Sequence, residues 1–125
     1  MKNDKEKLKN EFKRRLYNFV LRLINFLDQL PNDNVSRRIS DQLLRSGTSI
    51  LANYIEGQTA SSKKDFTNYF HISLKSANES KVWFALLRDS KRVSSDKTEW
   101  FLTELNEISK IFGSSILTLK GKIQF

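Results

Sequence analysis

Four polar side chains that could do chemistry lie on one face of a predicted helix near the middle of the chain. Arg45, Ser49, Asn53 and Glu56 follow one another at spacings of four, four and three residues, which places them in a single stripe. If the next helix pairs antiparallel with this one, Glu79 lies close to Arg45, and we expect a guanidinium–carboxylate ion pair between them. The stripe favours a structural or interface role over a catalytic one.

Residue types on which catalysis and metal binding depend are otherwise scarce. The chain has no cysteine and one histidine, His71, and the residue three positions before it is Asn68, which excludes the Glu-x-x-His pairs of di-iron bundles. Paired haem imidazoles, an H-E-x-x-H zinc site and a familiar serine triad are missing as well. The scattered glycines form neither a P-loop nor a G-x-G-x-x-G turn. We therefore expect no enzymatic activity, no metal and no cofactor.

The elements that position these residues are predicted to be four helices in one domain, residues 1–125. Apolar residues recur at spacings of three and four in four segments, whereas one proline and four glycines are too few for many short strands. Pro31 ends the first helix, Ser62 caps the third, and Gly57 stands where a left-handed C-cap belongs. Short connections predict an all-α, up-down-up-down antiparallel bundle with helices at residues 4–30, 36–56, 62–90 and 95–120.

A net charge of +8 indicates a polyanionic partner such as nucleic acid. Residues 1–30 contain eight Lys and Arg but four Asp and Glu, and residues 61–92 contain seven and three, whereas the numbers are equal in the rest of the chain. These two ranges hold the first and third predicted helices, which are diagonal in a square bundle, so their charges need not form one surface on a monomer. Candidate phosphate contacts, each with a solvated helix face as the alternative, are Lys9, Lys13, Arg14, Arg15, Arg22, Lys63, Lys64, Lys75, Lys81, Arg88, Lys91 and Arg92.

Two helices carry apolar residues beyond the stripe needed for the core. On a helical wheel these residues lie on sides that a monomer exposes, which favours self-association, although a wide core is the alternative. The candidate oligomer-interface residues are Tyr17, Leu21 and Ile24 on the first helix, and Ile72, Trp83 and Leu86 on the third.

The sequence also predicts where the protein works. The N-terminus is charged throughout and lacks the apolar core of a secretory signal, and the most apolar run, residues 16–30, is interrupted by charges and too short for a membrane span. Together with the absence of cysteine, this favours the cytoplasm and no membrane partner.

The second and third helices resemble the "four helix bundle protein" family, which includes the proteins encoded in intervening sequences of bacterial 23S rRNA genes. The resemblance rests on LLRSGTSILANYIEG followed by SKKDFTNYFHISLKSANES. The residues that match the family motif include Arg45, Ser49, Asn53, Glu56, Gly57, Phe66, Ser76 and Glu79.

This resemblance implies a left-handed bundle that assembles into a homopentameric barrel. Related accessory proteins of diversity-generating retroelements are basic, bind nucleic acid and can dock a reverse transcriptase. The leading hypothesis is therefore a non-enzymatic, oligomeric protein that binds nucleic acid, RNA in preference, by electrostatic attraction. The alternative is a protein-interaction scaffold or accessory subunit, for example of a reverse transcriptase.

Overall fold

The computed structural model describes residues 3–124, with side chains through residue 121. In this range the chain forms four helices and no strand, which confirms the predicted all-α class. Three of the helices begin or end within two residues of the predicted positions, and the fourth continues four residues further. The helices are α1 (Asp4–Asp28), α2 (Asn34–Gln58), α3 (Lys63–Asp89) and α4 (Ser95–Gln124).

Side chains cap the N-termini of the first three helices. Asn3 accepts a hydrogen bond from the Glu6 backbone N–H at 2.9 Å. Asp33 accepts from the Ser36 backbone at 2.8 Å, and Ser62 caps α3 as the sequence predicts. Each cap provides a partner for a backbone N–H that the helix itself leaves unpaired, so these residues fix where the helices start.

The predicted left-handed cap at Gly57 is wrong. Gly57 lies inside α2, is buried, and does not have a positive φ. A Cβ at this position would be 3.2 Å from the Tyr69 Cβ, so the missing side chain allows α3 to approach closely. The left-handed residue is instead Lys91 in the turn after α3, with a φ of 61°.

Neighbouring helices run antiparallel. The Tyr54 hydroxyl, near the end of α2, donates to the Lys9 carbonyl near the start of α1 at 3.1 Å. The other neighbours meet in the same reversed order, through the contacts Ser46–Ser80 and Ile50–Ser73 (α2 with α3), Phe70–Phe112 and Phe84–Phe101 (α3 with α4), and Phe12–Phe112 and Phe26–Phe101 (α1 with α4). The chain is therefore an up-down-up-down bundle in which α1 and α3 are diagonal.

One apolar cluster fills the space between the helices. Apolar residues at spacings of three and four supply most of it, and in α4 the buried ones are Phe101, Leu105, Ile108, Phe112 and Ile116. Between α2 and α3 the side chains are small, and Ser46, Ser73 and Ser80 are fully buried. Their hydroxyls bond to one another or to backbone carbonyls, so these two helices pack closely without leaving polar groups unpaired.

Candidate nucleic-acid interface

The polar stripe of α2 lies along the outer seam between α2 and α3. Arg45 donates to Glu79, as predicted, and the Trp83 indole N–H donates to the same carboxylate oxygen at 3.0 Å. The Arg45 and Glu79 side chains are 56% and 35% exposed, so this pair contributes about 0–1 kcal/mol to stability. Through this oxygen Glu79 connects Arg45 of α2 with Trp83 of α3.

The middle of this seam is a network of hydroxyl and amide groups. Ser76 donates to Ser49 at 2.9 Å, and the Asn53 amide donates to the Ser49 hydroxyl and carbonyl, both at 2.9 Å. Among these contacts there is no histidine or carboxylate that could activate a serine. The network therefore joins two helices, while Glu56 is exposed near the end of the stripe and Phe66 packs on Phe70.

Three of the twelve candidate phosphate contacts are engaged in ion pairs. Arg15 binds Glu104 of α4 through two hydrogen bonds of 2.7 and 2.8 Å, and this bond raises the pKa of the guanidinium. Arg88 pairs with its neighbour Asp89 in the same way. Arg92 lies 3.6 Å from Asp33. A phosphate would have to compete with these carboxylates, which makes the three arginines weaker candidates than the sequence indicates.

Two further candidates are held by their surroundings. The Arg22 guanidinium lies over the Trp100 ring, 3.7 Å from its centroid, in a cation–π contact. Lys81 is partly buried, and its burial, followed by the nearby charge of Lys110, lowers the pKa of its ammonium group. The Arg22 cation is therefore engaged by an aromatic ring, and partial burial makes Lys81 less accessible to a phosphate.

The remaining candidates are exposed, and five of them lie towards one end of the bundle. The start of α1 meets the end of α2 through the Tyr54–Lys9 bond, and a connection of four residues joins the end of α2 to the start of α3. This end, the amino end of α1, carries Lys9, Lys13, Arg14, Lys63 and Lys64, all exposed and outside every ion pair in the described residues. Lys75 lies in the middle of α3, and Lys91 lies at the opposite end.

A groove runs between α1 and α2 at this same end. Its outer part has a volume of about 620 Å³ and is lined by Asn10, Lys13, Arg14, Tyr17, Leu51 and Ile55. A second part of about 410 Å³ continues towards the helix ends past Lys9 and Gln58, with Glu6 on one wall. Leu51 and Ile55 were not predicted from the sequence to line a site. With Leu44 they form a second apolar stripe on α2, at spacings of seven and four, which could have indicated it.

Five of the six predicted interface residues are exposed. Tyr17, Leu21 and Ile24 are 42–55% exposed on α1, and Ile72 and Leu86 are 43–45% exposed on α3. Trp83 differs, because it is partly buried, packs against the core and bonds to Glu79. Trp83 therefore belongs to the edge of the core, whereas Ile72 and Leu86 of the second apolar stripe on α3 are exposed.

In the described part of the chain, no helix is long and apolar enough to cross a membrane. Within the same residues, no group of three His, Cys, Asp or Glu side chains could hold a metal ion.

Comparison with known proteins places this bundle in a family. The model of the 23S rRNA-intervening sequence proteins matches residues 9–114. The chain is similar to a protein with unknown function from the S23 ribosomal protein family of Bacteroides thetaiotaomicron. The two are 36% identical over 83% of this chain and 96% of that chain, with a TM-score of 0.78. No curated protein matches. Neither description names an enzymatic activity. Because the match covers most of the sequence, the chain belongs to the 23S rRNA-intervening sequence protein family.

Proposed function

We propose that this protein binds RNA without catalysing a reaction, through the cations at the amino end of α1. The supporting observation is that Lys9, Lys13, Arg14, Lys63 and Lys64 are exposed there and are engaged in none of the described ion pairs. Cations without carboxylate partners can neutralise phosphates and release counterions from the polyanion. RNA is the favoured nucleic acid because of the family to which the chain belongs.

Binding of this kind tolerates most sequences. The bundle presents helical sides, and no strand in the described residues provides an aromatic sheet on which bases could be read. Contacts to phosphates fix position and supply affinity, but they carry no sequence information directly. We therefore expect affinity to depend on salt far more than on nucleotide sequence.

The test is the salt dependence of RNA affinity in two charge-matched variants. If five cations of one subunit each contact a phosphate of a single strand, that subunit contributes about −3.5 to the slope of the logarithm of the binding constant against the logarithm of salt concentration. The double variant Lys63→Gln, Lys64→Gln should reduce the size of that contribution by about 1.4, since two contacts are lost.

The control carries the same charge change at the opposite end of the bundle. Arg88→Gln with Lys91→Gln should keep the wild-type slope, because these residues lie at the far end and Arg88 is paired with Asp89. No binding at low salt, or equal changes in the two double variants, would contradict the proposed site.

We further propose that the protein works as a homo-oligomer, for which the family resemblance implies five subunits. The support is the set of exposed apolar side chains on α1, Leu21 and Ile24, and on α3, Ile72 and Leu86. Exposed apolar residues close together on one surface mark interfaces. The same side chains support the second candidate function, an accessory subunit that binds another protein. A stoichiometric partner that stays bound after nuclease treatment would favour that function.

A further inference from the structure

Tyr17 is the one exposed ring among the aromatic side chains described in residues 3–121. Its side chain is 55% exposed, whereas the other Phe, Tyr and Trp residues in that range are buried or partly buried. Most of those rings pack in pairs within the bundle, and Tyr17 has no ring partner in the described structure. Its face is therefore available to another molecule.

Two cations flank this ring on the same helix. Lys13 precedes Tyr17 by four residues and Arg14 by three, the two spacings that make side chains neighbours on a helix surface. Both are exposed, and neither takes part in an ion pair within the described part of the chain. A free aromatic face beside two unpaired cations is the combination that single-stranded nucleic acid requires, because bases stack on rings while phosphates bind cations.

The groove around the Tyr17 ring is large enough to hold a base. Tyr17 lines the outer groove between α1 and α2, where Leu51 and Ile55 supply apolar surface from the second helix. The groove volume of about 620 Å³ is within the range of small-ligand sites. An apolar wall on α2 and cations on α1 match the two halves of a nucleotide.

We propose that Tyr17 stacks an unpaired base of single-stranded RNA in this groove, while Lys13 and Arg14 contact the adjacent phosphates. The inference rests on the proposed RNA-binding function and assigns it a preference for unpaired nucleotides. A second copy docking face to face is the poorer occupant, because it would bring two sets of these cations together. Leu21 and Ile24, further along α1 and away from the groove lining, stay available for subunit contacts.

The experiment compares two RNAs with three variants of the full chain. Affinities for an unstructured 12-nucleotide RNA and for a 12-base-pair RNA duplex are measured by fluorescence anisotropy at one salt concentration. Tyr17→Ala should weaken binding of the single strand at least about fivefold, since a stacked base is lost, and should change duplex binding less than about twofold. Tyr17→Phe should retain both affinities, because it keeps the ring.

A matched control truncates an exposed apolar side chain that lies outside the groove and outside both proposed apolar surfaces. Leu117→Ala on α4 should leave both affinities unchanged, and circular dichroism and light scattering should show the same fold and mass for all variants. Equal weakening of both RNAs by Tyr17→Ala overturns the stacking proposal, and so does a changed subunit number in that variant. Wild-type binding with no loss in Tyr17→Ala overturns stacking alone, whereas no wild-type binding to either RNA overturns the proposed function as well.

Discussion

At the scale of single residues, the two helical glycines Gly47 and Gly113 have opposite roles. A Cβ at Gly47 would lie 2.3 Å from Leu23 Cδ2, and Leu23 is fully buried, whereas a Cβ at Gly113 would meet nothing within 4 Å. Alanine is favoured over glycine in a helix by about 1 kcal/mol. Overpacking a core costs about 1–3 kcal/mol. The same substitution should therefore change stability in opposite directions at these positions.

We expect Gly113→Ala to raise the free energy of unfolding by up to about 1 kcal/mol. Gly47→Ala should lower it by up to about 2 kcal/mol, the overpacking cost less the helix gain. Urea titration followed by circular dichroism measures both. A gain in stability for Gly47→Ala would mean that Leu23 moves aside freely and that the α1–α2 contact is loosely packed.

Asp33 is a residue whose charge links stability to pH. Hydrogen bonds from the Ser36 backbone and hydroxyl hold the pKa of the Asp33 carboxyl below its usual value, with a smaller effect from Arg92. Because the pKa is lower in the folded state, the stabilisation is present above the unfolded-state value of about 3.9 and is lost as pH falls through the folded-state value.

The comparison of wild type with Asp33→Asn isolates this effect. Asparagine is also a good N-cap, but it carries no charge. The wild-type protein should be more stable from neutral pH down to about pH 5, and its advantage should shrink below about pH 4. Asp89 and Asp96, whose pKa values are also lowered, titrate in both proteins and cancel in the difference. An advantage that stays constant to pH 3 would exclude the Asp33 charge as its source.

At the scale of helices, the end of α3 contains the left-handed turn. Lys91 has a φ of 61°, and around it the Lys91 and Arg92 amides donate to the carbonyls of Arg88 and Leu87 at 3.0 Å. This is the Schellman pattern, which usually has glycine at the left-handed position. Lys91→Gly should raise the free energy of unfolding by up to about 1 kcal/mol, since the penalty for a side chain there is removed.

A second substitution at this position separates the backbone from the side chain. Lys91→Ala removes the charge and keeps the Cβ, so its stability should stay close to that of the wild type, and thermal unfolding of the three proteins checks the order. Equal gains in both variants would attribute the effect to loss of the lysine charge and not to the left-handed backbone.

The sequence predicts the four helices well, but it predicts their ends and their packing contacts only in part. Apolar spacing located all four, and Ser62 was visible as a cap. The prediction that Gly57 ends α2 was wrong. A glycine is needed there because Tyr69 of α3 approaches closely, and the sequence of one helix does not show which residue packs against it. The left-handed conformation of Lys91 could not be predicted from the sequence, because lysine seldom adopts a positive φ.

The candidate site was predictable only in part for the same reason. The sequence identified the twelve basic residues, but it could not tell which would find a carboxylate. Arg15 meets Glu104 only after α1 and α4 pack side by side. The groove beside Tyr17 likewise requires Leu51 and Ile55 from another helix, so it exists only in the folded bundle.

At the scale of the whole molecule, α1 and α3 are diagonal, so the two basic helices of one monomer are not neighbours and share only the end that carries Lys9 and Lys63. Assembly would bring together cations from neighbouring subunits, and exposed apolar residues such as Ile24 on α1 are the proposed contacts. Ile24→Asp should therefore reduce the mass measured by light scattering on a sizing column to that of a 14.6 kDa monomer. It should also weaken the salt dependence of RNA binding, because one monomer offers fewer cations to the same RNA.

The matched control is Leu117→Asp on α4, which places the same charge at a more exposed apolar position, 72% exposed compared with 42% for Ile24. It lies outside both proposed apolar surfaces, so it should keep the wild-type mass and salt slope. If both variants retain the wild-type mass, the α1 face is not the contact between subunits. If Ile24→Asp alone becomes a monomer with an unchanged salt slope, each subunit binds RNA independently, and assembly serves something other than collecting charge.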